Sequence, residues 1–213
     1  MRLKKIYDAD GNNISIAVGA PGIKPKKQLS QACIETYTGL FFDILDPKPE
    51  QIVIEDIAHA LSQCCRFTGH TKYPYSVAQH SILASYITPP QFAFEALMHD
   101  SGEAYIADLS RPVKHFTPVG PPYMEIEERI MSVIAKKFGF PTEMSPEVKR
   151  ADNIMLYAEK KALMRPIEWP TKWGNESDVA DVEIYQMTPG AAKASFLRRF
   201  SELTINRRIE QWV

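Results

Sequence analysis

Two of the five histidines in this 213-residue chain fall on faces where a helix should be apolar. His80 has Val77 three residues before it and Ala84 four after it, so it projects with the apolar side of a 3.6-residue repeat. His99 and Asp100 end the run FAFEALMHD, in which Asp100 shares a face with Ala93, Ala96 and Leu97. Asp152 has Val148 at i−4, Met155 at i+3 and Leu156 at i+4. A carboxylate aimed into an apolar face is costly unless it is paired or bound to a cation. A single inward histidine is more often a satisfied core residue, and a single inward aspartate usually partners an arginine. Two of each, pointing inward from separate helices, gain most by sharing one divalent ion in the bundle core. Mixed imidazole and carboxylate ligands suit Mn, Co, Fe, Ni or Zn.

The elements that must position these groups are helical. The 3.6-residue period covers about residues 55–66, 76–86, 91–103, 121–139, 145–164 and 188–203, with Ser76 and Ser145 as N-caps and Gly139 as a stop. Thr38-Gly39 between two β-prone runs predicts a small hairpin. Residues 168–181 read as a long loop. Residues 1–30 are rich in Gly, Pro, Asn and Lys and read as a poorly packed arm or extended edge segment, leaving 31–213 as the main domain. The class is mostly α with one minor hairpin.

Composition excludes several alternatives. Lys+Arg 25 against Asp+Glu 26 gives a net charge of −1, which argues against coating polymeric nucleic acid. No apolar run approaches the roughly 20 residues of a membrane span, and MRLKKIYDADGN does not read as a secretory signal. The three cysteines, Cys33 and the adjacent Cys64 and Cys65, form no CxxC pair, so neither a zinc knuckle nor a disulfide framework is expected. A reducing cytoplasm is the expected location.

The order His80, His99-Asp100, Asp152 resembles the HD-domain metal-dependent phosphohydrolases. CRFTGH (65–70), YSVAQHS (75–81), LMHDSGEAYIADLSRPVK (97–114) and VKRADNIMLYAEKKALM (148–164) are similar to the branch holding bacterial 5′-deoxynucleotidases and phage dATP triphosphohydrolases. The resemblance covers about residues 30–165 and implies an HD-type helical bundle. It implies a metal held by His80, His99, Asp100 and Asp152, with Glu103 and Asp108 in catalysis and Arg66 against the nucleotide. Glu103, at i+4 from His99, is expected on one edge of the same helix. Phe67 stands where the bacterial nucleotidases carry Trp, which alters the sugar or base platform. The short His80–His99 spacing is explained by a helix pair cut at Thr88-Pro89-Pro90.

Arg111 and Lys114 are expected to meet phosphate oxygens, and His70 to lie at the pocket mouth. His59 and His115 are read as structural or surface residues. Glu125, Glu127 and Glu128 read as a solvated helix face, and Cys64-Cys65 as core packing. The implied reaction is hydrolysis of a deoxynucleotide at the α phosphorus, first of dATP to deoxyadenosine and triphosphate, with Mg accompanying the triphosphate. A 5′-deoxynucleotidase acting on monophosphates and a non-catalytic nucleotide-binding module are the alternatives. A homo-oligomer is expected, in the host cytoplasm if the protein is of phage origin.

Overall fold

The helix carrying His80 has almost no polar face. In α2 (Val77–Ile87), residues Val77 to Ile82, Ala84 and Ser85 are all buried. A helix that is apolar all round belongs inside a bundle, and α2 packs against α1 (Ile54–Gln63), α3 (Ala93–Met98), α7 (Pro146–Leu163) and α8 (Pro189–Glu210). The computed structural model describes residues 2–7, 13–18, 31–167 and 182–210. The chain divides into two units, Met1–Cys33 and Ile34–Val213.

In the first unit, β1 (Arg2–Tyr7) pairs antiparallel with β2 (Asn13–Val18), in a register running from Arg2 opposite Val18 to Tyr7 opposite Asn13. The segment expected as a poorly packed arm or an extended edge segment contains a hairpin. Alternation of Ile14, Ile16 and Val18 with Asn13, Ser15 and Ala17 is the strand period that supports it. The remaining residues of the expected arm, and the expected loop at 168–181, lie outside the described residues.

The second unit opens with the small hairpin β3 (Cys33–Glu35) and β4 (Phe41–Asp43), turning at Gly39 with φ +82°. Buried Asp56 of α1 anchors that turn, accepting from Thr38 N–H at 2.7 Å and Thr38 Oγ1 at 2.9 Å. Ser76 and Gln79 close a reciprocal capping box on α2. The helix expected to run to Glu103 stops at Met98, and a tight turn leads into α4 (Glu103–Ile106). Ser101 and Gly102 favour the break, being poor helix formers. Two short segments follow the expected positions of no helix: α4 itself and α5 (Arg111–Phe116). α6 (Gly120–Phe138) begins at the expected proline pair and ends at Gly139 in the left-handed region, while α7 starts from its Ser145 N-cap. α8 extends beyond the expected residue 203 to Glu210.

The core beneath the hairpin and between the helices contains Phe42, Ile57, Leu61, Leu97, Met98, Ile130, Ile134 and Phe196. Phe42 stacks on Tyr105 with ring centroids 3.8 Å apart. Among the described residues no helix is long and apolar enough to cross a membrane. The molecule is mostly α, with small antiparallel hairpins.

Gly120 marks the tightest joint. A Cβ there would sit 1.8 Å from the Lys114 carbonyl oxygen, so the end of α5 and the start of α6 require glycine. Gly120→Ala should destabilise the protein by about 1–3 kcal/mol through overpacking against backbone. Gly190→Ala, where a Cβ would meet nothing within 4 Å, serves as the control and should melt at or above the wild-type temperature. Thermal denaturation followed by circular dichroism reads both; equal melting temperatures would remove the packing constraint.

Candidate metal centre

Backbone pairing brings the site's first segment to the start of α2. Cys65 and Ser76 form an antiparallel bridge, Arg66 N–H donates to Tyr75 O at 3.0 Å, and Val77 N–H donates to Cys64 O at 2.9 Å. Arg66 is thereby fixed beside Tyr75, just before the start of α2. After α3, bonds from Ser101 N–H to Met98 O and from Glu103 N–H to Asp100 O, both 3.0 Å, wind the chain tightly. His99, just past the end of α3, and Glu103, the first residue of α4, are consequently separated by a turn instead of sharing one edge of a single helix. α7 brings Asp152 from the other side, and Glu159 two turns further along the same face.

The four side chains singled out by spacing converge on one atom. His80 Nε2 is 3.2 Å from His99 Nε2, 3.6 Å from Asp100 Oδ2 and 3.2 Å from Asp152 Oδ1. His99 Nε2 lies 3.1 Å from Asp100 Oδ2 and 3.9 Å from Asp152 Oδ1. The tautomers follow from the other ring nitrogens. His80 Nδ1 meets Glu159 Oε1 at 2.7 Å, and His99 Nδ1 meets the Ala96 carbonyl at 2.7 Å. A carbonyl and an ionised carboxylate only accept, so both Nδ1 atoms carry hydrogen and both neutral rings turn an Nε2 lone pair toward the other. Two such nitrogens at 3.2 Å with carboxylates beside them call for positive charge between them, a proton on one ring or a metal ion. Ligands held at about 2.0–2.1 Å from a zinc-like ion stand roughly 3.3 Å apart in a tetrahedron, so the spacing fits. The His80–His99–Asp100 cluster can hold a divalent metal ion.

Sequence reasoning passed over the group that orients this cluster. Glu159 is fully buried and accepts from His80 Nδ1, from Arg66 Nε at 2.9 Å and from Tyr75 OH at 3.0 Å. Metal-binding histidines characteristically donate their second N–H to such a carboxylate. The signal was available: Glu159 lies at i+4 from Met155 and i−4 from Leu163, both buried.

Charge in the cluster is strongly coupled. Burial opposes the ionised forms of Asp100 and Asp152, but the imidazoles outweigh it. His99, then His80 and Arg66, hold Asp100 well below the usual carboxylate range, and the bond to His80 keeps Asp152 at about 2. Burial and the Arg66 charge oppose protonation of His80, yet Glu159 and Asp152 lift it to about 9. Burial similarly opposes the Glu159 carboxylate, and Arg66 and His80 lower its pKa all the same. The surroundings thus attract positive charge to the histidine pair, whether a proton or a metal.

The cluster opens into a cavity of about 770 Å³. Arg66, Phe67, Glu103, Asp108, Arg111 and Lys114 line it; His70, exposed at the end of its turn, does not. Phe67 and Thr68 both occupy the left-handed region, at φ +52° and +53°, so the turn holds its shape at the expense of backbone strain. Burial, then Asp100 and Asp108, push the Glu103 carboxyl well above its usual range, and Glu103 Oε2 has no hydrogen-bond partner among the described residues. Asp108 N–H donates to Cys64 Sγ at 3.4 Å. Cys64 is half-buried and Cys65 exposed, so the expected core packing applies only in part to the first. Glu127, expected on a solvated face, instead accepts Lys114 Nζ on both oxygens at 2.9 Å. His59 stacks on Tyr37, and His115 reaches the cavity wall.

Glu159→Gln should retain side-chain volume while losing the carboxylate that orients His80. It should weaken metal binding about 10–100-fold, measured by competition with a chromogenic chelator. Asp100→Ala should abolish stoichiometric metal retention outright. A full equivalent of ion retained by the Asp100 variant would show that the cluster is not the metal centre.

No family model matches the chain. The chain is 40% identical over 178 residues to the uncharacterized protein YfdR of Escherichia coli strain K12, spanning 82% of this chain and 97% of that one. It is 36% identical over 123 residues to an uncharacterized protein of Rhodobacter capsulatus, covering 54% of this chain and 62% of that relative. With identity at that level over nearly the whole Escherichia coli protein, the chain belongs to the YfdR family.

Proposed function

We propose that the protein is a metal-dependent phosphohydrolase that cleaves deoxynucleotides at the α phosphorus and releases the nucleoside. The observation that carries this reading is the pair of facing Nε2 atoms, 3.2 Å apart, in a cluster whose His99, Asp100 and Asp152 line a cavity of nucleotide size. The deoxynucleotide comes from the resemblance of the four motifs to HD-domain phosphohydrolases. His80, His99, Asp100 and Asp152 are the proposed ligands, for Mn, Co, Fe, Ni or Zn. When bound, the ion polarises a phosphate oxygen and lowers the pKa of a water.

The chain's own groups supply the rest. Arg66 is gripped through Nε by Glu159, with Nη1 3.7 Å from Asp100, which aims its remaining donors beside the cluster toward phosphate oxygens. Glu103 orients the attacking water or moves its proton, with Asp108 beside it in the same cavity wall. Met124, Met131, Phe140 and Leu156 add an apolar surface to the cavity lining for a base.

Two substrates share this chemistry. The resemblance to the phage enzymes favours dATP, cleaved to deoxyadenosine and intact triphosphate. The double contact between Lys114 and Glu127 favours a 5′-deoxynucleotidase, because it commits a cation that outer phosphates would need. The charge arrangement supports the monophosphate reading better.

Incubation with dAMP and dATP in the presence of each candidate metal, followed by chromatography, tests the proposal. Deoxyadenosine with inorganic phosphate or triphosphate is expected; dADP from dATP, or no turnover with any metal, would refute cleavage at the α phosphorus. Glu103→Gln should keep the ion and lose kcat by about 10²–10⁴. An unchanged kcat would remove Glu103 from the chemistry.

A further inference from the structure

The cavity is lined by more acidic than basic side chains. Among the described residues, seven carboxylate side chains line it against three cationic ones, Arg66, Arg111 and Lys114. Each cation already faces an acid. Arg66 is held by Glu159, and Arg111 Nη2 is 4.0 Å from Asp152 Oδ2. Lys114 has the closest geometry, with Nζ 2.9 Å from both Glu127 oxygens and 5.3 Å from the Tyr123 ring centroid. Both side chains of that pair are about four-fifths covered, so salt screens it less than a surface pair.

This arrangement discriminates by ligand charge. A phosphomonoester brings about two negative charges, which Arg66 and a divalent ion can meet at the cluster. Phosphates beyond the α position bring further charge and require cations on the cavity wall. Lys114 lines the same cavity as Asp100 and Glu103, so it can meet a chain extending from the cluster. Such a chain must displace Glu127 from Lys114 and leave that carboxylate beside its own oxygens. Like charges brought together in a partly buried site oppose binding strongly.

We infer that the Lys114–Glu127 pair selects substrate by phosphate-chain length, Glu127 withholding Lys114 and thereby restricting the cavity to dianionic phosphomonoesters. The inference rests on the proposed hydrolysis at the α phosphorus. The pair also joins α5 to α6, and a purely structural lock would alter turnover of all substrates together. A selector changes their ratio.

The protein loaded with manganese is assayed for nucleoside release from dAMP and dATP. Wild type should favour dAMP. Glu127→Gln should raise the dATP-to-dAMP ratio of kcat/KM by at least about tenfold. Lys114→Gln should not raise it, and the double variant should fall back toward wild type because the freed ammonium is gone. A calorimetric comparison of dAMP and dATP binding to the manganese-loaded Glu103→Gln variant, which keeps the ion and loses turnover, should give the same change of ratio when Glu127→Gln is added. Wild-type turnover with ratios unmoved by Glu127→Gln in both measurements overturns the selector and leaves the hydrolase reading standing. Absence of both binding and turnover in wild type overturns the hydrolase reading and the selector with it.

Discussion

An ionised carboxylate in a helical core must be matched on every side, and Glu159 sets that requirement for the whole site. Its charge is met by Arg66 Nε, Tyr75 OH and His80 Nδ1, all within 3.0 Å. These partners come from α2 and the segment stapled to its start, while Glu159 itself belongs to α7. Their pairing fixes the azimuth of α7 against α2, and with it the position of Asp152 two turns earlier. It also fixes which nitrogen of His80 is free. Removing one partner leaves charge stranded in the core, and such losses cost about 3–5 kcal/mol. The same group therefore sets helix register, imidazole tautomer and arginine direction.

Local rules made the long helices legible. Ser76 with Gln79, Ser145-Pro146 and Gly139 act within one turn of themselves, and the structure uses them as N-caps, helix start and stop. The inward direction of His80, His99, Asp100 and Asp152 was also local, being a matter of spacing against apolar neighbours. Their convergence on His80 Nε2 needed only that those faces meet.

What escaped the sequence was set by contacts between distant elements. Lys114 and Glu127 are thirteen positions apart on helices whose packing depends on Gly120, so neither looks different from a solvated charge until α5 folds onto α6. The break after Met98 has a similar origin. Gly102 N–H donates to Met131 Sδ at 3.0 Å, and a Cβ there would press on Met131, so contact with α6 favours a turn at that point. Glu159 was missed for another reason: an acid followed by two lysines reads as a surface stretch, although its i±4 neighbours are apolar. The hairpin of β1 and β2 was obscured by the Gly- and Pro-rich composition after it.

The charge that suits the cluster to a metal also limits what can enter beside it. Asp100, Asp152 and Glu159 together outnumber the fixed cation Arg66, and this surplus is what raises the proton affinity of His80 and would favour a dication. A metal offsets two of those charges and leaves the cluster near balance. Every further anion must then find its own counter-charge on the wall, where each cation already contacts an acid. Metal retention and tolerance of highly charged substrates thus oppose each other in this cavity. Residues that adjust the second without weakening the first must lie away from the cluster: Arg66 and Arg111 pair with the proposed ligands Asp100 and Asp152, whereas Lys114 pairs with Glu127 on α6.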